Sequence, residues 1–220
     1  MVSTKAVETT IPAIEAKLKT FGGDMVKIEF LENCLKQIGL PNDSKRFCHL
    51  KLSDSYAYRL MWPLSARNMD SAADCATTYK DKIVYYSKAI TLWLKVNDFL
   101  MIDKCFKKAM LCGNTNQEKQ AIKDNLKKEI MTLAAEYEKK NKRSHAALLY
   151  ERLMEMPITN DAEKKELMAK VAGLNSKLGR LKEAIRYEQM LKRPIEPRKS
   201  NDPDENAKKI SFEDLGLDVL

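Results

Sequence analysis

With 220 residues, 44% of them hydrophobic, the chain is long enough for one good core and short enough that a single continuous domain is the default. Gly and Pro are scarce at seven each, while Lys, Glu, Ala, Leu and Met abound. Those residues lose little rotamer freedom in a helix, and no alternating β-branched run bounded by turn residues offers a strand, so the sheet classes are excluded and an all-α fold is expected. The net charge of +8 implies solubility or a weak attraction to polyanions.

The first residues, MVSTKAVETTIPAIEAKLK, contain no continuous apolar core of signal-peptide length, and no run of about 18 apolar residues occurs anywhere. A soluble cytoplasmic protein without a membrane span is the expectation. Within that start, IPAIEAKLK predicts a short helix. The next segment, GGDMVKIEFLENCLKQIGLPND (22–43), places Met25, Ile28, Leu31, Leu35 and Ile38 at helical spacing, with Asp24 as the N-cap and Gly39-Leu40-Pro41 as the stop. Residues 1–42 are read as N-terminal capping helices.

Beyond residue 42 the chain repeats itself, which matters because a missed repeat misreads the whole architecture. Aligning Leu60, Asn97, Asn141 and Gly179 as turn positions brings the flanks into register. Four residues before the turn stand Tyr56, Trp93, Tyr137 and Asn175; five after it stand Ser65, Ile102, Ala146 and Ala184; nine after it stand Met69, Phe106, Tyr150 and Glu188. Large residues recur where a helix meets its neighbour, and small ones recur where helices cross closely. The anchors are 37, 44 and 38 residues apart, so each unit is a helix pair with some extra connection. Stacked pairs of this kind share one continuous core and need solvating caps at both ends.

These columns resemble the tetratricopeptide repeat, with an early aromatic or Leu, a small residue at the turn and then A-x-x-x-F/Y-x-x-A; a SNAP-like array of degenerate helix pairs fits as well. LAAEYEKKNKRSHAALLYERLMEMP (133–157) and VAGLNSKLGRLKEAIRYEQML (171–191) match best. The resemblance covers roughly residues 45–193 and implies a right-handed α-solenoid of about four degenerate pairs over 43–193. It also implies a partner-binding groove on the concave face, made by the earlier helix of each pair, which in such proteins commonly holds an extended peptide or a partner's helix. In this register the face carries Tyr58, Thr91, Leu94, Lys95, Met131 and Glu138, with Ser87, Ala135 and Lys139 on the same stripes. It lacks the Lys and Asn set by which chaperone-binding members grip a C-terminal carboxylate.

After the repeats, PIEPRKSNDPDE (194–205) is read as a linker because its three prolines interrupt any helix. The subsequent KKISFEDLGLDVL (208–220) sets Phe212, Leu215 and Leu217 among Glu213, Asp214 and Asp218. Either it closes over the last repeat, with Ser211 and Asp214 as a capping box, or it is an acidic and hydrophobic motif for a partner.

Chemistry is sparse. Cys34, Cys48, Cys75, Cys105 and Cys112 form no C-x-x-C pair and read as small buried hydrophobes in a reducing compartment. His49 and His145 have no adjacent carboxylate or cysteine motif, and no phosphate-loop, dinucleotide, zinc-protease or nucleophile-elbow signature occurs. No enzyme activity, cofactor or metal is expected. The expectation is a scaffold or adaptor that binds a protein partner. The alternative rests on a basic cluster, Lys127, Lys128, Lys139, Lys140, Lys142 and Arg143, which could meet phosphate backbones in RNA or the ribosome.

Overall fold

The computed structural model describes residues 9–192. The 194–205 linker and the tail residues Phe212, Leu215 and Leu217 lie outside the described residues. Among the described residues there are ten helices and no strand: α1 (Ile11–Lys19), α2 (Asp24–Leu35), α3 (Asn42–Tyr58), α4 (Trp62–Asp74), α5 (Tyr79–Val96), α6 (Phe99–Cys112), α7 (Asn116–Lys139), α8 (Arg143–Glu155), α9 (Asp161–Lys177) and α10 (Leu181–Lys192). Most pack against the helix before and after them, while α1 packs on α3 and α7 meets α5 as well as α6 and α8.

Local chemistry sets several of the starts. Thr78 accepts from the Asp81 N–H at α5, and Asp98 accepts from the Met101 N–H at α6. Thr115 with Glu118 at α7 and Asn160 with Glu163 at α9 form full capping boxes, each satisfying two backbone donors that a helix start leaves unpaired.

At α2 the structure corrects the sequence reading. The N-cap is Gly23, without a side-chain cap bond, and Asp24 is the first helical residue, where its carboxylate favours the helix dipole instead. The helix ends at Leu35, so Ile38 falls outside it and is fully exposed, and Met25 is exposed as well. Ile28 and Leu31 are buried as expected, but Phe30 and Cys34 complete the buried face. Those two were hidden in the sequence because a single stripe at 25, 28, 31, 35 and 38 ignores the second flank that α2 buries.

The four predicted turns share one geometry. Leu60, Asn97, Asn141 and Gly179 all have left-handed backbones, with φ of 59°, 56°, 56° and 73°. In each, the next residue donates its N–H to the carbonyl four residues before the turn: Met61 to Tyr56 at 2.9 Å, Asp98 to Trp93 at 3.2 Å, Lys142 to Tyr137 at 2.8 Å and Arg180 to Asn175 at 2.9 Å. The turn residue itself donates to the carbonyl three back, at 2.9 to 3.2 Å. This is a Schellman closure four times over, and it satisfies the last carbonyls of α3, α5, α7 and α9. The residue five beyond the turn is buried in every pair, as Ser65, Ile102, Ala146 and Ala184.

One core runs from Ala66 through Trp93, Ile102, Ile130, Ala146, Tyr150 and Leu153 to Leu174, spanning α4 to α9. A second core at the N-terminal end joins α1 and α2 to α3 through Ile14, Phe21, Phe30, Leu31, Cys34, Cys48, Leu52 and Tyr56. Phe21 and Phe30 meet there at 5.2 Å between ring centroids. Each amphipathic pair therefore finishes its burial on the next pair, as nearest-neighbour stacking requires.

Polar links tie alternate helices. Lys108 of α6 reaches Asp70 and Asp74 of α4 at 3.0 Å each, and the Tyr86 hydroxyl donates to Asp74 at 2.6 Å. Burial by itself lowers the Lys108 ammonium, but the hydrogen bonds to Asp70 and Asp74 outweigh it and hold the group above its ordinary value. Between α8 and α10, Tyr187 donates to Glu151 at 3.1 Å. Lys127 of α7 is paired with Glu163 of α9.

Candidate functional site

Two adjoining grooves open between α5 and α7, first helices of successive pairs. The first is lined by Lys80, Ile83, Val84 and Ser87 from α5 and by Glu118, Ala121, Ile122 and Asn125 from α7. The second, further along the same seam, is lined by Thr91, Leu94 and Lys95 opposite Glu129, Thr132, Leu133 and Glu136. Their volumes are about 370 and 150 Å³. The first lies within and the second below the roughly 300–1,000 Å³ of small-molecule sites, and together they form a trough along the α5–α7 seam. The Thr91 hydroxyl donates to the Ser87 carbonyl of its own helix at 3.2 Å and lies 3.5 Å from the Glu129 carboxylate on the opposite wall.

The predicted partner face maps onto this trough only in part. Thr91 and Lys95 line it, and the Lys95 ammonium also stands 4.0 Å above the Trp62 ring of α4, an attraction to the ring's negative face. Leu94 also lines the second groove, but as its floor: it is 1% exposed and belongs to the core. It sits three residues beyond Thr91, about 60° around the helix and on the core edge of the stripe. Met131 is half-buried and packs on the core, so it does not stand on the open face. Glu138 accepts from the Tyr150 hydroxyl at 2.6 Å, which ties it to α8 of its own pair. Burial, and then that hydrogen bond, push the Tyr150 phenol up. Tyr58 is 82% exposed at the end of α3 and lines neither groove.

The residues missed on α7 have a geometric origin. Shifting the α5 stripe by the anchor spacing selects the same side of α7, namely Met131, Ala135, Glu138 and Lys139. Across a groove two helices present facing sides, not equivalent ones, so the α7 wall is the stripe Asn125, Glu129, Thr132 and Glu136 at three- and four-residue steps. On α5, Ile83 and Val84 continue the predicted Ser87 and Thr91 stripe one turn earlier.

The basic cluster is divided in space. Lys127 and Lys128 lie mid-helix on α7, while Lys139 to Arg143 surround its C-terminal turn, about 17–24 Å further along at 1.5 Å per residue. Lys127 is held by Glu163, Lys140 is 3.6 Å from Glu136, and Lys142 stands 6.0 Å from the Tyr137 ring. Lys128, Lys139, Lys140 and Lys142 are exposed and Arg143 is half-buried. The C-terminal group, Lys139 to Arg143, is therefore the one concentrated positive patch of the predicted six.

The two histidines are far apart in role. His49 is half-buried, with Nδ1 2.9 Å from the Asn68 side-chain oxygen; burial lowers its proton affinity more than that hydrogen bond raises it. His145 is exposed and tilted against Tyr137, 5.4 Å between centroids. Four of the five cysteines are buried and Cys75 is half-buried; none forms a disulfide. Burial and its Asp70 neighbour push the Cys105 thiol up to about 12, away from reactive thiolate. Among the described residues no group of three or more His, Cys, Asp or Glu is arranged to hold a metal ion, and no helix is long and apolar enough to cross a membrane. Compared with known proteins, the chain matches no family model, and no curated protein matches it.

Proposed function

We propose that this chain is a non-catalytic helical-repeat scaffold of tetratricopeptide or SNAP-like type, a right-handed solenoid of about four helix pairs that binds a protein partner along the face of its first helices. The observation that carries this reading is the trough between α5 and α7. It mixes apolar wall (Ile83, Val84, Ala121, Leu133) with scattered charge of both signs (Lys80, Lys95, Glu118, Glu129, Glu136), the make-up of a surface that grips an extended segment or helix. The recurrent left-handed turn supports the repeat assignment. The buried cysteines, none of them in a disulfide, fit a reducing cytoplasm.

The test is a capture from native lysate with and without nuclease, run beside Val84→Arg combined with Ala121→Arg. Both positions are exposed in the trough, so the double variant keeps its fold and crowds the groove. Partners that resist nuclease and fall at least tenfold on the variant are the expected result. Partners held equally by both proteins overturn the groove, and partners lost with nuclease move the function to RNA or the ribosome through Lys139 to Arg143. In that case, exchanging Lys139, Lys140, Lys142 and Arg143 for Gln flattens the salt dependence by roughly one unit of slope per lost phosphate contact.

A further inference from the structure

The outer edge of α10 is apolar and open. Leu181 is 61% and Ile185 52% exposed, one turn apart on one face, and α10 is the last helix among the described residues. The earlier pairs show how this edge is finished when it is complete. Two residues beyond the turn, the place of Leu181, Trp62 of α4 lies under Lys95 of α5, and Phe99 of α6 lies under Arg152 of α8 at 5.4 Å. Six beyond it, the place of Ile185, Ala66 and Ala147 are buried in the core that the stacked helices share. Asp103, which occupies that place on α6 and stays exposed, is polar. An uncovered position in this column is thus polar and an apolar one is covered, and Ile185 departs from both.

We propose that residues 208–220 of the same chain dock on the Leu181–Ile185 edge of α10. The segment carries the apolar side chains Ile210, Phe212, Leu215 and Leu217 needed to cover it. Charge agrees: Arg180, Lys182 and Arg186, all exposed, flank Leu181 and Ile185 in sequence, with Glu183 and Glu188 the acids on α10, while the segment sets Glu213, Asp214 and Asp218 among its apolar residues, after Lys208 and Lys209 at its start. Reach agrees too. The 17 residues 193–209 extend to about 55 Å at 3.3 Å per residue, whereas Leu181 lies about 16 Å back along α10 from Lys192. A tether of that length holds the segment at an effective concentration in the millimolar range, which favours it over a second copy of the chain.

The experiment is amide hydrogen exchange on the full chain and on Phe212→Ala with Leu215→Ala and Leu217→Ala, a triple variant that leaves α1 to α10 untouched. Docking predicts about tenfold faster exchange over residues 181–192 in the variant, unchanged exchange in α5 to α8, and protection restored by the free 208–220 peptide at millimolar concentration. Equal exchange in the two proteins overturns the proposal. So does protection of α10 that rises with protein concentration alongside a dimer in light scattering, which assigns the edge to a second copy. The readout is independent of partner binding at the α5–α7 trough, so the two readings fail separately.

Discussion

The two ends of the described array are finished differently. At the N-terminal end, α1 and α2 fold over α3 and bury Ile14, Phe30 and Cys34 completely, giving that end a core of its own. At the other end α10 buries Ala184 alone and leaves Leu181 and Ile185 open. In a linear stack each pair is held by its neighbours, so a terminal helix, stacked on one side only, is held less well than an interior one. The difference teaches that stability in this fold is graded along the chain and not shared evenly, as local opening in repeat proteins follows buried apolar contact.

The largest effect that tests this gradient is overpacking at equivalent sites. Ala146, fully buried inside the array, and Ala184 at its end occupy the same column. Ala146→Phe is expected to cost about 1–3 kcal/mol or more, and Ala184→Phe less, because α10 can move outward while α8 is held on both sides. Thermal melts of the two variants decide it; equal losses break the contrast, and no loss in either breaks the register itself.

A smaller effect separates the two terminal turns. Gly179 adopts φ of 73° without a Cβ penalty, whereas Leu60 holds φ of 59° with an exposed side chain that packing does not compensate. Asn, which already fills this position at 97 and 141, tolerates the left-handed region. Leu60→Asn is therefore expected to stabilise by about 0.5–1 kcal/mol, and Gly179→Leu to destabilise by about 1–2 kcal/mol. Denaturant midpoints check the opposite signs, and a loss on Leu60→Asn would show that Leu60 makes a stabilising contact despite its exposure.

The smallest effect is alkaline. Burial pushes the phenols of Tyr56 near one end and Tyr187 near the other from 10.0 up to about 12, helped by Glu32 and Glu151 respectively. A proton held more tightly in the folded chain is lost first from the unfolded chain. The stabilisation is thus whole below pH 10 and disappears as pH rises toward about 12. Tyr56→Phe should flatten the decline of melting temperature across that window, and Tyr187→Phe should flatten it less, since the Tyr56 hydroxyl is 2.6 Å from its acceptor and buried while Tyr187 is 3.1 Å from its own and half-buried. A larger change from Tyr187→Phe would reverse the order of the two ends.

The periodic signals were legible because they depend on few residues close together in sequence. A left-handed turn followed five residues later by an apolar or small side chain is a local pattern, and all four copies appear where the aligned columns place them. The trough was only half legible. Thr91 and Lys95 could be read from their own helix, but Glu129, Thr132 and Glu136 face α5 from another helix, and no spacing along α7 reveals which side it turns toward a neighbour. Leu94 forms the floor of the groove and not its open wall, a distinction that a stripe on a helical wheel does not carry until a partner covers part of it. The basic cluster likewise looked continuous in sequence, yet its members separate along α7, and Lys127 is neutralised by Glu163 thirty-six residues later.

The sequence by itself determined the helical class, the pairing of helices around Leu60, Asn97, Asn141 and Gly179, and the column of buried residues behind them, because helix propensity and a 3.6-residue period act within a few turns of chain. Tertiary structure alone decided which faces of α5 and α7 confront each other, which cations find a carboxylate or a ring, and which apolar residues of the terminal helices stay open. Those outcomes depend on the angle and order in which distant helices stack, a property of pairs of surfaces that no single helix carries.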